Sequence, residues 1–204
     1  MLKIHFKKGC SGMSGCWKKT GIFDMLIYME KKAAVTRLVI FVIGFFILKT
    51  CVMDIGRVSG SSMEPALADG QLVVIWKLAY GIPLPAGNRY VCRWRVPEAG
   101  DIVLYAMNGR SVVKRCVKTG GSMLHFTAAS QPASGSYALL QLDAGTVPLN
   151  RIQFKNLGGF LPAGSQKIPA GFILALGDNA AQSYDSRDYG FVSIDSIRGK
   201  LLCR

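Results

Sequence analysis

Apolar residues fall along this chain as one continuous block near the N-terminus, then as short runs separated by turn residues. The block, Leu38 to Leu48, is bracketed by Arg37 and Lys49. Their long stems can carry both charges toward the two head-group layers and extend the block to a span of about 20 residues. The pattern therefore predicts one transmembrane helix over 33–53. No small-residue cleavage site follows in Lys49-Thr50-Cys51-Val52-Met53-Asp54, so removal as a signal peptide is not expected. Five basic residues lie between Lys18 and Arg37, whereas the twenty residues after Met53 hold only Arg57. By the positive-inside rule the N-terminus is cytoplasmic and the chain after about residue 53 faces outward.

Beyond the block the period is that of strands. Gln71–Trp76 is a β-branched run behind the turn pair Asp69-Gly70, and Tyr90–Val96 alternates apolar residues with arginine. The stretch 80–88, with Pro83 and Pro85, reads as a loop. Gly100-Asp101 opens a strand to Tyr105, and Asn108-Gly109 is a hairpin signal joining it to Ser111–Lys118. Further strands are expected at Met123–Thr127, at Tyr137–Leu142 and within Ile168–Leu176, which leads into Gly177-Asp178-Asn179. Short strands with frequent turns predict a mainly β fold, a folded antiparallel sheet or barrel behind one N-terminal transmembrane helix. The expected organisation is a basic cytoplasmic segment (1–32), the helix (33–53), and an extracytoplasmic β-rich domain (54–204) with an accessory β-region at about 119–168. Residues 1–24 show no clear period, and Met25 and Met29 are alternative starts.

Composition changes this picture in three places. Half of the 204 residues are apolar, which allows a real core. The formal charge of +13 is densest in residues 1–53, with nine Lys or Arg against Asp24 and Glu30, so a membrane surface explains it better than nucleic acid. Six cysteines show no metal-ligand spacing and only His5 and His125 accompany them, so no metal or other cofactor is expected. A Cys92–Cys116 bridge in an oxidising compartment and two small buried hydrophobes are both open readings.

The candidate chemistry lies in polar stretches that the strand pattern does not use. Ser59-Gly60-Ser61-Ser62-Met63-Glu64-Pro65 presents hydroxyls on a tight backbone, and reads equally as a linker. A serine nucleophile needs a base. With histidine nearly absent, the alternative is a lysine made neutral by burial. Lys114 follows Val112 and Val113 in mid-strand. With a period of two, Val112, Lys114 and Cys116 share one face and Arg115 lies on the other. The loop Gly177-Asp178-Asn179-Ala180-Ala181-Gln182-Ser183-Tyr184-Asp185-Ser186-Arg187 offers carboxylates to Arg115 and Arg187, and a Ser183 hydroxyl that could orient an amine.

Ser62-Met63-x-Pro65, Gly100-Asp101-Ile102-Val103, Lys114-Arg115, and Gly177-Asp178-Asn179 with Ser183-x-Asp185-Ser186-Arg187-x-x-Gly190 occur in that order. The series resembles the box pattern of bacterial type I signal peptidases. The resemblance implies Ser62 as nucleophile and Lys114 as general base, with Ser183 orienting the lysine. It also implies ion pairs Asp178 with Arg115 and Asp185 with Arg187, and the Ser62 backbone N–H as oxyanion donor. Val58, Met63, Leu67 and Val113 match positions that shape shallow pockets for small side chains, beside a substrate bound as an added strand.

The implied function is cleavage of signal peptides from exported precursors at the outer face of a bacterial inner membrane, with the lipid bilayer as second partner. The single anchor and small accessory region also resemble the plasmid-transfer branch that processes pilin. Gly60 stands where some members carry a serine as second oxyanion donor. Ala180-Ala181 replaces a more usual charged pair. A self-cleaving Ser/Lys protease and a non-catalytic anchored assembly subunit are the other readings.

Overall fold

The computed structural model describes residues 14–84, 90–129, 136–143 and 145–202, which fall into two compact units, Met1–Leu48 and Lys49–Arg204. His5 and Cys203 lie outside the described residues, as do part of the expected loop at 80–88 and part of the stretch between the strands expected at Met123–Thr127 and Tyr137–Leu142.

The first unit is one helix, α1 (Ser14–Ile47). It starts far earlier than the expected 33 because residues 25–36 are rich in Met, Leu, Lys, Glu and Ala and contain no proline. The expected transmembrane helix over 33–53 is not found. The α-helix ends at Ile47, a π-type turn covers Leu48–Val52, and Met53 already belongs to a strand. No helix among the described residues is long and apolar enough to cross a membrane. Charges at Lys31, Lys32, Arg37 and Lys49 crowd the short apolar block from both sides. Its side chains are exposed within this unit: Phe41, Ile43 and Phe46 are all more than half exposed.

The second unit is mainly β, and every strand pairing in it is antiparallel. Its strands are β1 (Met53–Arg57), β2 (Leu72–Trp76), β3 (Gly81–Pro83), β4 (Tyr90–Arg93), β5 (Ile102–Met107), β6 (Arg110–Thr119), β7 (Met123–Ala128), β8 (Ala138–Leu142), β9 (Gly145–Leu149), β10 (Gly164–Lys167), β11 (Phe172–Leu176), β12 (Val192–Ser193) and β13 (Ile197–Leu202). Seven of them form one sheet in the order β1-β2-β13-β5-β6-β11-β12, and four form a second, β10-β7-β8-β9. The expected loop at 80–88 instead holds β3, paired with β4. Two short helices, α2 (Arg151–Asn156) and α3 (Ser186–Tyr189), complete the unit; Asn150 and Gln153 form a capping box on α2.

Three apolar clusters share the long strand β6. Val113 packs against Val58, Met63, Val73 and Ile75. Cys116 lies with Val103, Tyr105 and Ala175. Val117 faces Leu124, Leu140, Phe154 and Leu174. Strand β11 is continuously apolar because Ile173 and Ala175 enter one cluster while Leu174 and Leu176 enter another. The Cys92–Cys116 bridge does not form: Cys92 is exposed on β4 and Cys116 is buried, with its thiol pushed up to about 12 by burial and by the nearby Asp101. The Asn108-Gly109 turn closes the β5–β6 hairpin with both residues at positive φ, 49° and 74°.

Candidate active site

The loop after β1 is set by its own backbone. Val58 N–H donates to Gln71 at 2.9 Å and Gly70 N–H returns to Val58 at 3.0 Å, closing residues 58–71 at their base. Gly60 adopts φ 93°, where a side chain is disfavoured, and its N–H donates to the Asp69 carboxylate at 2.8 Å. A serine at position 60 would be strained, which accounts locally for the missing hydroxyl. Behind the turn Met63 and Leu67 are buried, and Leu67 N–H donates to the Met63 carbonyl. Burying two such side chains contributes roughly 1.5–3 kcal/mol each and anchors the loop that presents Ser62.

Lys114, on β6, is 3% exposed, and its Nζ lies 2.7 Å from Ser62 Oγ. Burial lowers the pKa of this amine, and Arg187 adds to the effect, while Asp185 and Asp178 oppose it. Arg115, next in β6, points the other way, as the period of two predicts. It grips Asp178 through Nε and Nη2 at 2.8 and 2.6 Å, and donates Nη1 to the Gly100 carbonyl.

The loop between β11 and α3 carries the other polar groups. Asp185 is fully buried and accepts from Arg187 Nε and Nη2, both at 2.9 Å, from Gly177 N–H at 3.0 Å, and from Ser183 Oγ at 2.7 Å. Burial alone would raise this carboxyl, but the Arg187 guanidinium and the two other donors outweigh it and hold the pKa below the ordinary value. The Ser183 hydroxyl thus donates to Asp185, and the hydrogen bond of Lys114 goes to Ser62, not to Ser183. The structure therefore brings Ser62, Lys114, Ser183, Asp185 and Arg187 into one locality and sets the Asp178–Arg115 pair beside it.

A groove of about 440 Å³ runs from Ser62 and Lys114 along β1. Val58, Met63 and Val113 line it, but Leu67 does not: it is wholly buried and supports the wall from behind. The groove lies between two unpaired strand edges. Among the described residues β1 pairs only with β2, and β6 pairs with β11 only from Arg115 onward, leaving the 111–114 edge open. Ser62 N–H donates to no described residue. Ser61 donates its hydroxyl to Gln182, so it is turned away from the groove, whereas Ser59 lines it. Among the described residues no cluster of His, Cys, Asp and Glu is placed to hold a metal ion.

Sequence reasoning missed several positioning contacts. Asn179 N–H donates to the Ser62 carbonyl at 3.1 Å, and Gln182 holds Ser61, so the 177–183 loop is tied to the serine loop twice. Gly177 is the point of closest approach, since a methyl group there would lie 2.6 Å from the Ser62 carbonyl oxygen and would also meet Ser183 Oγ. A glycine closing an apolar strand is the one signal that could have pointed to it. Gly177→Ala is expected to lower kcat/KM for a cleaved precursor by about 10–100-fold, with a loss of about 1–3 kcal/mol in stability from overpacking. Steady-state kinetics and a thermal melt check this; undiminished activity would show that the contact does not set Ser62. Asp101, in the Gly100-Asp101 turn, accepts from the buried Tyr80 hydroxyl at 2.8 Å and pairs with Lys200, linking that turn to the central strand β13.

Comparison with known proteins places the chain in a peptidase family. The family model for signal peptidase, peptidase S26, matches residues 31–204, and the chain belongs to that family. A signal peptidase I of Pseudomonas fluorescens is 25% identical over 161 residues, 69% of this chain and 57% of that protein. The chain thus spans little more than half the length of this relative. A signal peptidase I of Bacillus caldolyticus is 29% identical over 71% of this chain and 74% of that one. A signal peptidase IB of Staphylococcus aureus is 28% identical over 84% of both. A crystal structure of a signal peptidase I from Enterococcus faecalis V583 is similar over 53% of this chain and 98% of that one, with 21% identity and a TM-score of 0.34.

Proposed function

We propose that the chain is a membrane-attached endopeptidase that removes signal peptides from exported precursors after small residues, with Ser62 as nucleophile and Lys114 as general base. The observation that carries this reading is the buried Lys114 amine 2.7 Å from Ser62 Oγ. When the amine is neutral the hydrogen bond reverses and the hydroxyl donates to Nζ. Ser62 Oγ then attacks the scissile carbonyl while its proton passes to Lys114, and the Ser62 N–H donates to the oxyanion. Collapse returns that proton to the departing amine and leaves an ester on Ser62. In the second half Lys114 takes a proton from water as the hydroxide adds to the ester, and collapse breaks the bond to Ser62 Oγ, returns that proton from Lys114 to it and releases the acyl segment. With its proton committed to Asp185, the Ser183 oxygen can accept from Nζ and orient it, held by the Asp185–Arg187 pair.

The open edges of β1 and β6 suit an extended substrate added as a strand, with Val58, Met63 and Val113 bounding its first and third residues before the cut. Membrane attachment is supported by the exposed apolar block of α1, and on the second unit by the exposed Met53, Ile55, Leu72, Trp76 and Leu202 on neighbouring strands. We assign the sheet unit to the outer face of a bacterial inner membrane. A pilin of a conjugative system is the substrate that the small accessory sheet favours.

The test is incubation of detergent-solubilised protein with a general preprotein and, separately, a pilin precursor, followed by N-terminal sequencing of the product. One new N-terminus after a small residue, lost in Ser62→Ala, is expected. Cleavage of the general preprotein alone would remove the pilin assignment, and cleavage that survives Ser62→Ala would remove the mechanism. Failure to float with phospholipid vesicles after detergent removal would remove the membrane attachment.

A further inference from the structure

The groove is larger than two small-residue subsites need, and its lining continues along β1 past the residues that bound those subsites, to Gly56, Asp54, Val73, Ile75 and Leu104. The inward-facing positions along this edge are Val58, just past β1, and Gly56 and Asp54 within it, since Gly56 pairs with Val73 and Asp54 with Ile75, both on the buried face. At Gly56 the wall has no side chain. The space in front of it is lined by Val73, Ile75 and Leu104, and a methyl group at Gly56 would reach Ile75 Cδ1 at 3.2 Å and Val73 Cγ2 at 4.0 Å. The far end is closed by Asp54, whose carboxylate is paired with Lys77 at 2.9 Å, so that end presents no unpaired charge.

We propose that this compartment is a third subsite, which takes a bulky apolar side chain at the fifth residue before the cut, and that Gly56 is the residue that opens it. The proposal rests on the peptidase reading above. Side chains of an extended substrate that face the same way recur every second residue, about 6.6–6.8 Å apart, the same advance as Val58 to Gly56 to Asp54 along β1. If the first and third residues before the cut lie against Val58, Met63 and Val113, the fifth lies in front of Gly56. A wall of valine, isoleucine and leucine selects by apolar area, and an absent Cβ sets how much area fits. The specificity therefore combines a requirement for small residues near the cut with a preference for bulk two residues further on. Gly56 has no positive φ, so a side chain there does not strain the backbone, and the flexible Ile75 Cδ1 has to give by only a few tenths of an ångström to admit its Cβ.

The test uses two precursor peptides identical except for Leu or Ala at the fifth residue before the cut, assayed for kcat/KM with the full chain in detergent. Wild type is expected to prefer Leu by about tenfold or more, within the range that buried methylene groups give in an apolar pocket. In Gly56→Leu the new side chain fills the compartment, and the Leu-to-Ala ratio should fall to about one. A circular dichroism melt reports whether that variant is folded; if it is not, Ile75→Ala, which enlarges the compartment, should move the preference from Leu toward Phe, read with a third peptide that carries Phe at the same position. Equal cleavage of both peptides by wild type overturns the subsite while leaving the peptidase reading intact. So does a Leu preference that folded Gly56→Leu retains, or that Ile75→Ala leaves unmoved where Gly56→Leu does not fold. Cleavage of neither peptide by folded wild type overturns the peptidase reading and this proposal with it.

Discussion

Lys114→Met is expected to reduce precursor cleavage by roughly a thousandfold or more while leaving the sheet unit at least as stable as wild type. Methionine is unbranched and nearly fills the volume of the lysine stem, so what is lost is the amine that lies 2.7 Å from Ser62 Oγ. That amine is buried, and burial disfavours its charged form. Folding must therefore either neutralise it or bury a charge, and the thioether avoids both. The same logic fixes the pH dependence. The active form is neutral, so kcat/KM should rise with pH through the lowered pKa of Lys114 and level off below the pH at which a free lysine, near 10.5, deprotonates. Between those two values the unfolded chain holds a proton that the folded chain does not, so stability also rises with pH across that window. Lys114→Met should abolish both rises. Cleavage kinetics and melting temperatures at a series of pH values check this. A kcat/KM profile flat from about pH 6 to 10, or an active Lys114→Met, would remove lysine as the base.

How much of this was legible beforehand depends on how local the signal is. The Asn108-Gly109 hairpin and the alternating faces of Val113, Lys114 and Arg115 follow from turn chemistry and a period of two, and the structure has both. Strand β13 was not legible: Gly199 and Lys200 interrupt its apolar run, yet it lies centrally between β2 and β5. Gly199 is required there, because a Cβ would come within 2.8 Å of the Trp76 carbonyl oxygen. The end of α1 was misjudged because hydropathy alone does not register where pairing with β2 begins, and Met53 is already its partner across the sheet. At the site, residue types offered two carboxylates to Arg115 and Arg187, and the family resemblance implied which partner each would take. The direction of the Ser183 hydroxyl, the burial of Leu67 behind the groove wall and the close approach of Gly177 depend on distances between segments that only folding brings together.

Asp185→Ala is expected to cost about 3–5 kcal/mol, the range for removing one partner of a buried ion pair. Four groups aimed at this carboxylate would lose their acceptor: the Arg187 guanidinium, 7% exposed, the backbone N–H groups of Arg187 and Gly177, and the Ser183 hydroxyl. The largest of these losses is the uncompensated charge, so removing the charge as well should repair part of the damage. The double variant Asp185→Ala/Arg187→Met is expected to recover stability relative to Asp185→Ala alone, while a pair that merely bridged two loops at the surface would give additive losses. Acid should act in the same direction as the single substitution. The carboxyl pKa is lowered in the folded state, so its contribution is present above the unfolded value of about 3.8 and is lost as pH falls through the folded one. The melting temperature of wild type should therefore drop more steeply below about pH 4 than that of Asp185→Ala. Activity separates support of Lys114 from support of the fold. Asp185 opposes the lowering of the Lys114 pKa and Arg187 promotes it, so the surviving folded fraction of Asp185→Ala should show the rise in kcat/KM displaced to lower pH. Urea unfolding of the single and double variants, with the pH profile of the residual cleavage, measures both; an unshifted profile would confine Asp185 to holding the loop.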